Sequence, residues 1–312
     1  MTVSMSGSMT GSSDGDRPAL SLVATAGKRA AVLEAAVEAE RRGFSGLALP
    51  SLGGTMGFAT SLAHATTSIA YWTSIQPIYL ATAAETGATA GHLHEMTGGR
   101  FRLGLGVSHE PVTRRLGVAT GKPLTDMRAY VEALRANEKA SGPLPPIYLA
   151  TLRDKMLDLA VEIADGGIWA NASLSHMRTQ VARIPAERRD SFFLANMIPT
   201  VIDDDRDAAR AINRRTLSGY VSLPNYRNYW KQAGYEEEMA AIETALSEGR
   251  RDDVPGLMSD RWLDDSTLSG SATQVRDGIE AWRATGVLPI AVMSSTTGGQ
   301  LKAVQELFAA FG

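Results

Sequence analysis

The clearest indication of the fold comes from residues Gly99-Arg100-Phe101-Arg102-Leu103-Gly104-Leu105-Gly106-Val107-Ser108-His109-Glu110. It is a short apolar run with glycines two residues apart, and it leads into a polar segment that contains His109. Glycine inside a strand gives up side-chain packing, and it is found where a backbone or a ligand must come close. The pattern predicts a buried strand with functional groups at its carboxyl end, where parallel α/β proteins place their chemistry.

Similar apolar runs alternate with helical segments along the rest of the chain. Strands are predicted at residues 20–25, 45–50, 68–76, 101–107, 146–150, 167–170, 192–199 and 287–293. Helices are predicted at residues 28–42, 82–97, 125–141, 153–165 and 271–285. Eight strands that are each followed by a helix predict a (β/α)8 TIM barrel. A doubly wound sheet is the alternative, but its dinucleotide-binding form would place G-x-G-x-x-G after the first strand, where the chain reads Ala24-Thr25-Ala26-Gly27-Lys28.

Two segments depart from this alternation. Residues 1–18 are rich in Ser, Gly, Thr and Met, and we interpret them as a disordered tail ahead of a single domain at 19–312. Residues 216–268 are longer than one βα unit needs and include several aromatic residues. We interpret this segment as an insertion near strand seven that lies over the barrel mouth and is partly helical at 235–248.

Composition excludes several classes of function. The 312 residues carry a net charge of −3 with acidic and basic residues interspersed, which argues against partners such as nucleic acid or a membrane surface. The absence of cysteine fits a cytoplasmic protein and means that any redox chemistry must come from a bound cofactor. His92 and His94 are two residues apart on a predicted helix, on different faces, so no metal site is predicted.

Four segments, in chain order, resemble signature segments of the luciferase-like monooxygenase superfamily. They are Thr73-Ser74-Ile75-Gln76-Pro77-Ile78-Tyr79, Gly98-Gly99-Arg100-Phe101-Arg102-Leu103-Gly104-Leu105-Gly106-Val107, Ala164-Asp165-Gly166-Gly167-Ile168-Trp169-Ala170-Asn171 and Gly270-Ser271-Ala272-Thr273-Gln274-Val275. The resemblance covers about residues 20–311 and is strongest to the branch that uses the deazaflavin coenzyme F420. A branch that uses flavin mononucleotide (FMN) shares the same fold.

The resemblance implies a (β/α)8 barrel with an insertion near strand seven, in which the ring system of F420, or alternatively of FMN, enters the mouth. It implies an F420-dependent oxidoreductase that transfers hydride between the deazaflavin and a small organic substrate, commonly as a homodimer. An FMN-dependent monooxygenase is the alternative within this class.

The resemblance also assigns candidate cofactor contacts on strand three. It implies a bulge with a non-prolyl cis peptide at Ser74–Ile75 that supports the ring, so that Thr73, Ser74 and Ile75 would contact the cofactor. The alternative is an ordinary buried strand that ends at Pro77.

The fourth strand supplies a second group of candidates. Gly104 and Gly106 leave room for a flat ring or for a neighbouring strand, and Val107 follows them at the strand end. Ser108 can donate a hydrogen bond to a ring carbonyl or a phosphate. His109 is a candidate cofactor contact and a candidate catalytic proton donor or acceptor, because an ordinary histidine pKa of about 6.5 suits both roles. The alternative is a loop histidine bound to backbone.

The sixth and second strands end in further candidates. Ala170, Asn171, Ala172 and Ser173 precede a helical stretch, and exposed N–H groups at a helix start bind phosphate or a ring edge. The alternative is a plain turn with an N-cap. After strand two, Ser51 is the polar residue that is a candidate for catalysis. Members of the family often place a histidine or an acidic residue there. Because this chain does not, an alternative function is a non-catalytic barrel that binds a deazaflavin or another small molecule.

Overall fold

The computed structural model describes residues 17–51 and 54–312, and its centre is a closed barrel of parallel strands. In chain order the strands are β1 (Ala19–Ser21), β2 (Leu47–Leu49), β3 (Tyr71–Thr73), β4 (Gln76–Pro77), β5 (Phe101–Gly106), β6 (Ile147–Ala150), β7 (Gly166–Ala170), β8 (Phe193–Ile202), β9 (Leu268–Gly270) and β10 (Leu288–Ser294). The barrel closes because β10 pairs with both β8 and β1. The predicted (β/α)8 barrel is therefore confirmed.

Two short strands lie outside the predicted set of eight. The third predicted strand is divided into β3 and β4 at Ser74–Ile75, and β4 resumes pairing with β5 beyond that point. Strand β9 adds to the carboxyl end of β8 at residues 200–202 without joining the barrel ring. Three residues give too short an apolar alternation for a sequence pattern to mark β9 as a strand.

Helices surround the barrel and occupy most of the connections. They are α1 (Arg29–Arg41), α2 (Thr55–Ala65), α3 (Ala83–Met96), α4 (Glu110–Arg115), α5 (Pro123–Ala136), α6 (Glu138–Ser141), α7 (Asp154–Ile163), α8 (Leu174–Ala182), α9 (Ala186–Arg189), α10 (Arg206–Val221), α11 (Pro224–Gln232), α12 (Glu236–Ser247), α13 (Asp260–Ser266), α14 (Ala272–Arg283) and α15 (Gln300–Phe311). A 3-10 helix spans Arg251–Leu257. Within residues 17–51 and 54–312, none of the helices has both the length and the apolar character needed to cross a bilayer.

The start of α14 shows how local sequence fixes one of these boundaries. The Ser271 hydroxyl accepts a hydrogen bond from the Gln274 backbone N–H, and the Gln274 side chain accepts one from the Ser271 N–H. This reciprocal pair is a capping box, which satisfies backbone donors that a helix start leaves free. The spacing of Ser271 and Gln274 predicts this start correctly.

The predicted segment 216–268 begins inside α10 rather than between elements. Its additional structure consists of α11, α12, the 3-10 helix and α13, and the helix expected at 235–248 is α12. Helix α10 begins at Arg206, well before residue 216, because the Asp205 side chain caps its first turn.

Most of the predicted N-terminal tail falls on residues 1–16, which lie outside the described residues. Its last two residues, Arg17 and Pro18, are described and packed against the domain. The Arg17 guanidinium donates a hydrogen bond to the Phe311 carbonyl at 3.0 Å, and Pro18 is buried. Arg17 and Pro18 therefore belong with the domain, because they contact residues far away in the sequence. The tail and the domain boundaries otherwise stay predictions.

Inward-facing side chains fill the lower part of the barrel. They form a cluster separate from the outer core, made of Ala19, Ala48, Trp72, Tyr148, Ile168, Ala195 and Ile290. The Tyr148 and Phe193 rings stack with centroids 4.3 Å apart, and Trp72 meets Phe193 edge-on at 5.3 Å. Gly46 makes room for the indole, since a Cβ there would lie 2.5 Å from the Trp72 ring. A ligand would therefore enter from the carboxyl ends of the strands.

Candidate functional site

Above this filled interior lies an apolar surface that is partly open. Alternation along the strands points Ala150, Ala170, Met197 and Val292 into the barrel, and the Ile75 side chain joins them from the bulge after β3. All five are only partly buried, whereas the layer below them is buried. We call these five residues the floor. Sequence analysis did not identify Met197 or Val292 as site residues.

The bulge between β3 and β4 contains the expected cis peptide at Ser74–Ile75. Thr73, just before it, is fully buried, and its hydroxyl donates to the Gly104 carbonyl at 2.7 Å and accepts from the Gly104 N–H at 2.9 Å. The Ser74 hydroxyl donates to the Met197 sulfur at 3.1 Å. The Thr73 side chain is thus hydrogen-bonded to β5, and its expected contact with a cofactor stays a prediction. Ile75 and Ser74 lie at the floor.

Gly104 and Gly106 make room for the residues of the bulge. A Cβ on Gly104 would lie 1.9 Å from the Thr73 carbonyl oxygen, and one on Gly106 would lie 2.6 Å from the Ile75 side chain. Of the two roles expected for these glycines, close approach of a neighbouring strand is the one observed. Ile75 covers the wall at Gly106, so this wall is not bare. The expected contact of Gly104 and Gly106 with a cofactor stays a prediction.

The segment after β5 carries His109 into an aromatic environment. Ser108 adopts a left-handed conformation with φ 63°, and His109 follows it as the residue before α4. The imidazole meets Tyr226 at 5.7 Å and Tyr220 at 6.2 Å between ring centroids. Burial lowers the pKa of His109, so the neutral imidazole is favoured. Neither of its ring nitrogens has a hydrogen-bond partner within residues 17–51 and 54–312, which leaves both available.

The other residues of this segment differ in exposure. Val107 is partly buried and packs against the outer core. Ser108 is also partly buried, at the rim of the mouth. The Glu110 carboxylate is exposed and forms an ion pair with Arg114 one turn along α4. The structure therefore brings Ser108 and His109 to the mouth and directs Glu110 to solvent.

The segment after β7 is covered by the insertion. The Tyr229 hydroxyl accepts a hydrogen bond from the Ser173 N–H at 3.0 Å, and the Trp230 indole N–H donates to the Asn171 carbonyl at 3.1 Å. Ala172 and Ser173 are fully buried. Their N–H groups are engaged within the chain, since the Ala172 N–H donates to the Asn196 side chain at 3.3 Å. Neither N–H is therefore left free for a phosphate, and the expected contact of Ala172 and Ser173 with a cofactor stays a prediction. Ala170 belongs to the floor.

A second anchor holds the insertion near the same place. The Asp265 carboxylate accepts hydrogen bonds from the Ser175 N–H at 2.8 Å, the Ser175 hydroxyl at 2.7 Å and the Tyr235 hydroxyl at 2.8 Å. Trp230 also meets Trp262 edge-on at 4.8 Å. Polar and aromatic contacts together fix α11 and α13 over the end of β7.

The end of β2 carries the last candidate. Ser51 is partly buried, and the two residues after it lie outside the described part of the chain. The role of Ser51 in catalysis stays a prediction.

We expect the stability of the protein to fall between about pH 7.5 and about pH 5, and His109 to account for part of that loss. Burial lowers the pKa of His109, so the unfolded chain binds this proton more readily than the folded protein. The free energy of unfolding should therefore drop as the pH falls through the ordinary histidine value of about 6.5. Burial lowers the pKa values of His94 and His176 in the same way.

Urea denaturation at the two pH values checks this expectation. The difference in unfolding midpoint should be smaller in His109→Gln than in the wild type. His64→Gln, at an exposed histidine of α2, should retain the wild-type difference. An unchanged difference in His109→Gln would show that this imidazole is not desolvated.

Comparison with known proteins finds a matching family and several relatives. The family model described as luciferase-like monooxygenase matches residues 9–288. A Mycobacterium tuberculosis protein, named provisionally as a coenzyme F420-dependent oxidoreductase, is 27% identical over 301 residues, covering 81% of this chain and 84% of that protein.

Solved structures show the same fold at low sequence identity. The coenzyme F420-dependent tetrahydromethanopterin reductase from Methanopyrus kandleri superposes with a TM-score of 0.74 at 18% identity, covering 95% of this chain and 99% of that one. A type II Baeyer-Villiger monooxygenase from Pseudomonas putida, in complex with FMN, superposes with a TM-score of 0.59 at 15% identity, covering 93% and 97%. With the family model spanning most of the sequence, the chain belongs to the luciferase-like monooxygenase family.

Proposed function

We propose that this protein is a coenzyme F420-dependent oxidoreductase that transfers hydride between the deazaflavin and a small organic substrate. The observation that carries the proposal is the floor, a partly open apolar surface at the closed end of the barrel mouth. An apolar concave surface with a few polar groups above it suits a flat heterocycle. The name of the mycobacterial relative supports F420 as that heterocycle.

The residues present fit such a group. Ile75, Ala150, Ala170, Met197 and Val292 would lie against the ring, and the partly buried Ser108 would donate a hydrogen bond at its edge. When bound, the deazaflavin supplies the hydride chemistry, and the protein contributes binding, orientation and exclusion of water. The insertion serves the last of these roles, because Tyr229 and Trp230 hold α11 over the end of β7.

His109 is the group that we propose for proton transfer to or from the substrate. Burial lowers the pKa of His109 and so favours the neutral imidazole, and its ring nitrogens carry no hydrogen bonds to the described residues. A neutral imidazole at the mouth can accept a proton at one nitrogen or donate from the other. Ser51 is kept as the second catalytic candidate.

An FMN-dependent monooxygenase is the second candidate function. The monooxygenase that superposes with a TM-score of 0.59 was solved in complex with FMN. The floor itself would suit the ring of either cofactor. We also propose a homodimer, on the basis of the family resemblance, and a cytoplasmic location, on the basis of the absence of cysteine.

We expect titration with F420 to give a saturating change in ring absorbance and fluorescence, and titration with FMN to give none. Met197→Gln should weaken F420 binding by about tenfold, because it places an amide against the ring at the cost of about 1–3 kcal/mol for burying an unpaired polar group.

The matched control is Met96→Gln, at a methionine that is 53% exposed on α3. This variant should bind F420 like the wild type. Tight FMN binding without an F420 response would favour the monooxygenase. Binding of F420 without turnover of enones, imines or nitro compounds would favour a non-catalytic carrier.

A further inference from the structure

The first turn of α8 lies against the insertion through His176. Its imidazole meets the Tyr229 ring of α11 edge-on, with centroids 5.8 Å apart. His176 is half-buried and Tyr229 is fully buried. The Tyr229 hydroxyl also accepts the hydrogen bond of the Ser173 N–H, just ahead of α8. His176 therefore packs at the place where the insertion is attached beyond the end of β7.

The hydrogen bond that His176 forms requires a neutral ring. The side-chain nitrogen of Gln180, one turn along α8, lies 3.1 Å from His176 Nε2 and donates to the Asp154 carboxylate at 2.9 Å. A carboxylate only accepts hydrogen bonds, so the Asp154 contact fixes the Gln180 amide with its donor nitrogen towards both partners. His176 Nε2 must then accept, which it does only when it carries no proton of its own. The contact therefore selects the neutral imidazole with its proton on Nδ1.

The two carboxylates that act on His176 are engaged by other donors. Asp154 lies at the start of α7 and Asp265 on α13, and neither forms an ion pair with His176 within 4.0 Å in residues 17–51 and 54–312. Their partners are Gln180 and Arg183 for Asp154, and Ser175 and Tyr235 for Asp265. Further charged side chains on the elements packed here include Lys155 and Arg178, which are exposed, Asp158, which pairs with Arg183, Arg227 and Lys231, which pair with Glu243, and Arg261, which lies over the Tyr235 ring.

Protonation of His176 would break its bond with Gln180 and place a positive charge beside Tyr229. The imidazolium would be attracted by Asp154 and Asp265, but it would have to displace their present donors to reach them. Burial lowers the pKa of His176 in spite of this attraction. In a released insertion the ring would return to water and to its ordinary pKa of about 6.5. The proton therefore favours the released form, and a falling pH shifts the equilibrium towards it.

We propose that His176 is a pH-sensitive clasp, which holds the insertion closed in its neutral form and releases it when the ring takes up a proton. The proton comes from solvent and adds to Nε2, the atom that accepts from Gln180. Closure is favoured above about pH 7.5 and is lost as the pH falls below the ordinary histidine value of about 6.5. The clasp controls access to the barrel mouth and goes beyond the proposed function, since it does not depend on the cofactor or the substrate.

Limited proteolysis of the full-length protein by thermolysin, at about pH 7.5 and about pH 5.5, tests the clasp. The rate of cutting within residues 224–266 is divided by the rate for an unfolded protein, casein, at the same pH, and mass spectrometry locates the cuts. The wild type should be cut about fivefold faster at the lower pH, the equivalent of about 1 kcal/mol for the lost hydrogen bond. The additional cuts should be confined to the insertion.

Two variants remove the titration and differ in what they keep. His176→Gln offers Gln180 an uncharged acceptor, and His176→Phe keeps an aromatic ring beside Tyr229. Each should be cut at nearly the same rate at the two pH values, and either one decides the question if the other does not fold. His64→Gln, at an exposed histidine of α2, is the matched control and should retain the fivefold change.

Several results would overturn the inference. One is a wild type that is cut no faster, or more slowly, at the lower pH, because the attraction of Asp154 and Asp265 would then outweigh the lost bond. Another is a wild-type change that persists in the His176 variants, including one that disappears only in His109→Gln. Additional cuts spread over the whole chain would report global unfolding and would also overturn it. Failure of F420 and FMN to bind would defeat the proposed function and leave these expectations unchanged.

Discussion

Replacing Gly104 with alanine should lower the free energy of unfolding by about 3 kcal/mol, the upper part of the usual range for overpacking a core. The added Cβ would lie 1.9 Å from the Thr73 carbonyl oxygen and 3.1 Å from its carbon. Both atoms are backbone, and the Thr73 side chain is bonded to the Gly104 N–H and carbonyl. Relief of the clash would therefore require β3 and β5 to separate. Urea denaturation measures the loss.

The control for this substitution is Gly57→Ala in α2. A Cβ at Gly57 would have no heavy atom within 4 Å, and the position is exposed. Alanine should leave stability unchanged or raise it by up to about 1 kcal/mol through helix propensity. A Gly104→Ala protein as stable as Gly57→Ala would show that the two strands do not approach as closely as described. It would also reopen direct contact of Gly104 with a ligand.

The close approach at Gly104 also shows why the barrel could be predicted from sequence. The glycine spacing marks a strand that another backbone approaches, and the apolar run of 101–107 ends one residue beyond β5. Local chemistry fixes such features, as it does the capping box of Ser271 and Gln274. The cis peptide at Ser74–Ile75 was predicted through the family resemblance, since residue type alone does not mark a non-prolyl cis bond.

The candidate site was less predictable, because contacts between distant segments decide it. Ala172 and Ser173 have the small, polar character of a ligand-binding turn, but Tyr229 and the Asn196 side chain occupy their N–H groups. No local pattern around residue 172 indicates that α11 will cover it. In the same way, the aromatic environment of His109 comes from Tyr220 and Tyr226, whose placement depends on how the insertion packs.

Met197 and Val292 illustrate a different limit. Strands β8 and β10 are mostly apolar on both faces, because one face packs on helices and the other fills the barrel. The sequence therefore predicts burial for the whole strand and does not separate the inward residues that reach the mouth from those in the filled interior. Met197 and Val292 belong to the floor only because of their position along the axis of the closed barrel.

Replacing Trp230 with alanine should lower the free energy of unfolding by about 3–5 kcal/mol, the usual cost of removing a buried tryptophan side chain. Trp230 is fully buried, and its ring contacts Tyr226 at 5.5 Å and Trp262 at 4.8 Å between centroids. Its indole N–H also satisfies the buried Asn171 carbonyl. Its removal would loosen α11 from the end of β7, so limited proteolysis should cut the segment between α11 and α13 faster than in the wild type.

Trp230→Phe separates packing from hydrogen bonding at the same position. It keeps an aromatic ring between Tyr226 and Trp262 and loses the bond to Asn171, so its cost should be smaller than that of alanine, and proteolysis should stay near the wild-type rate. If Trp230→Ala is cut no faster than the wild type, the remaining hydrogen bonds of Tyr229 to Ser173 and of Asp265 to Ser175 and Tyr235 are enough to hold the insertion. The exclusion of water that we assign to α11 would then depend on these polar contacts, and not on the packing of Trp230.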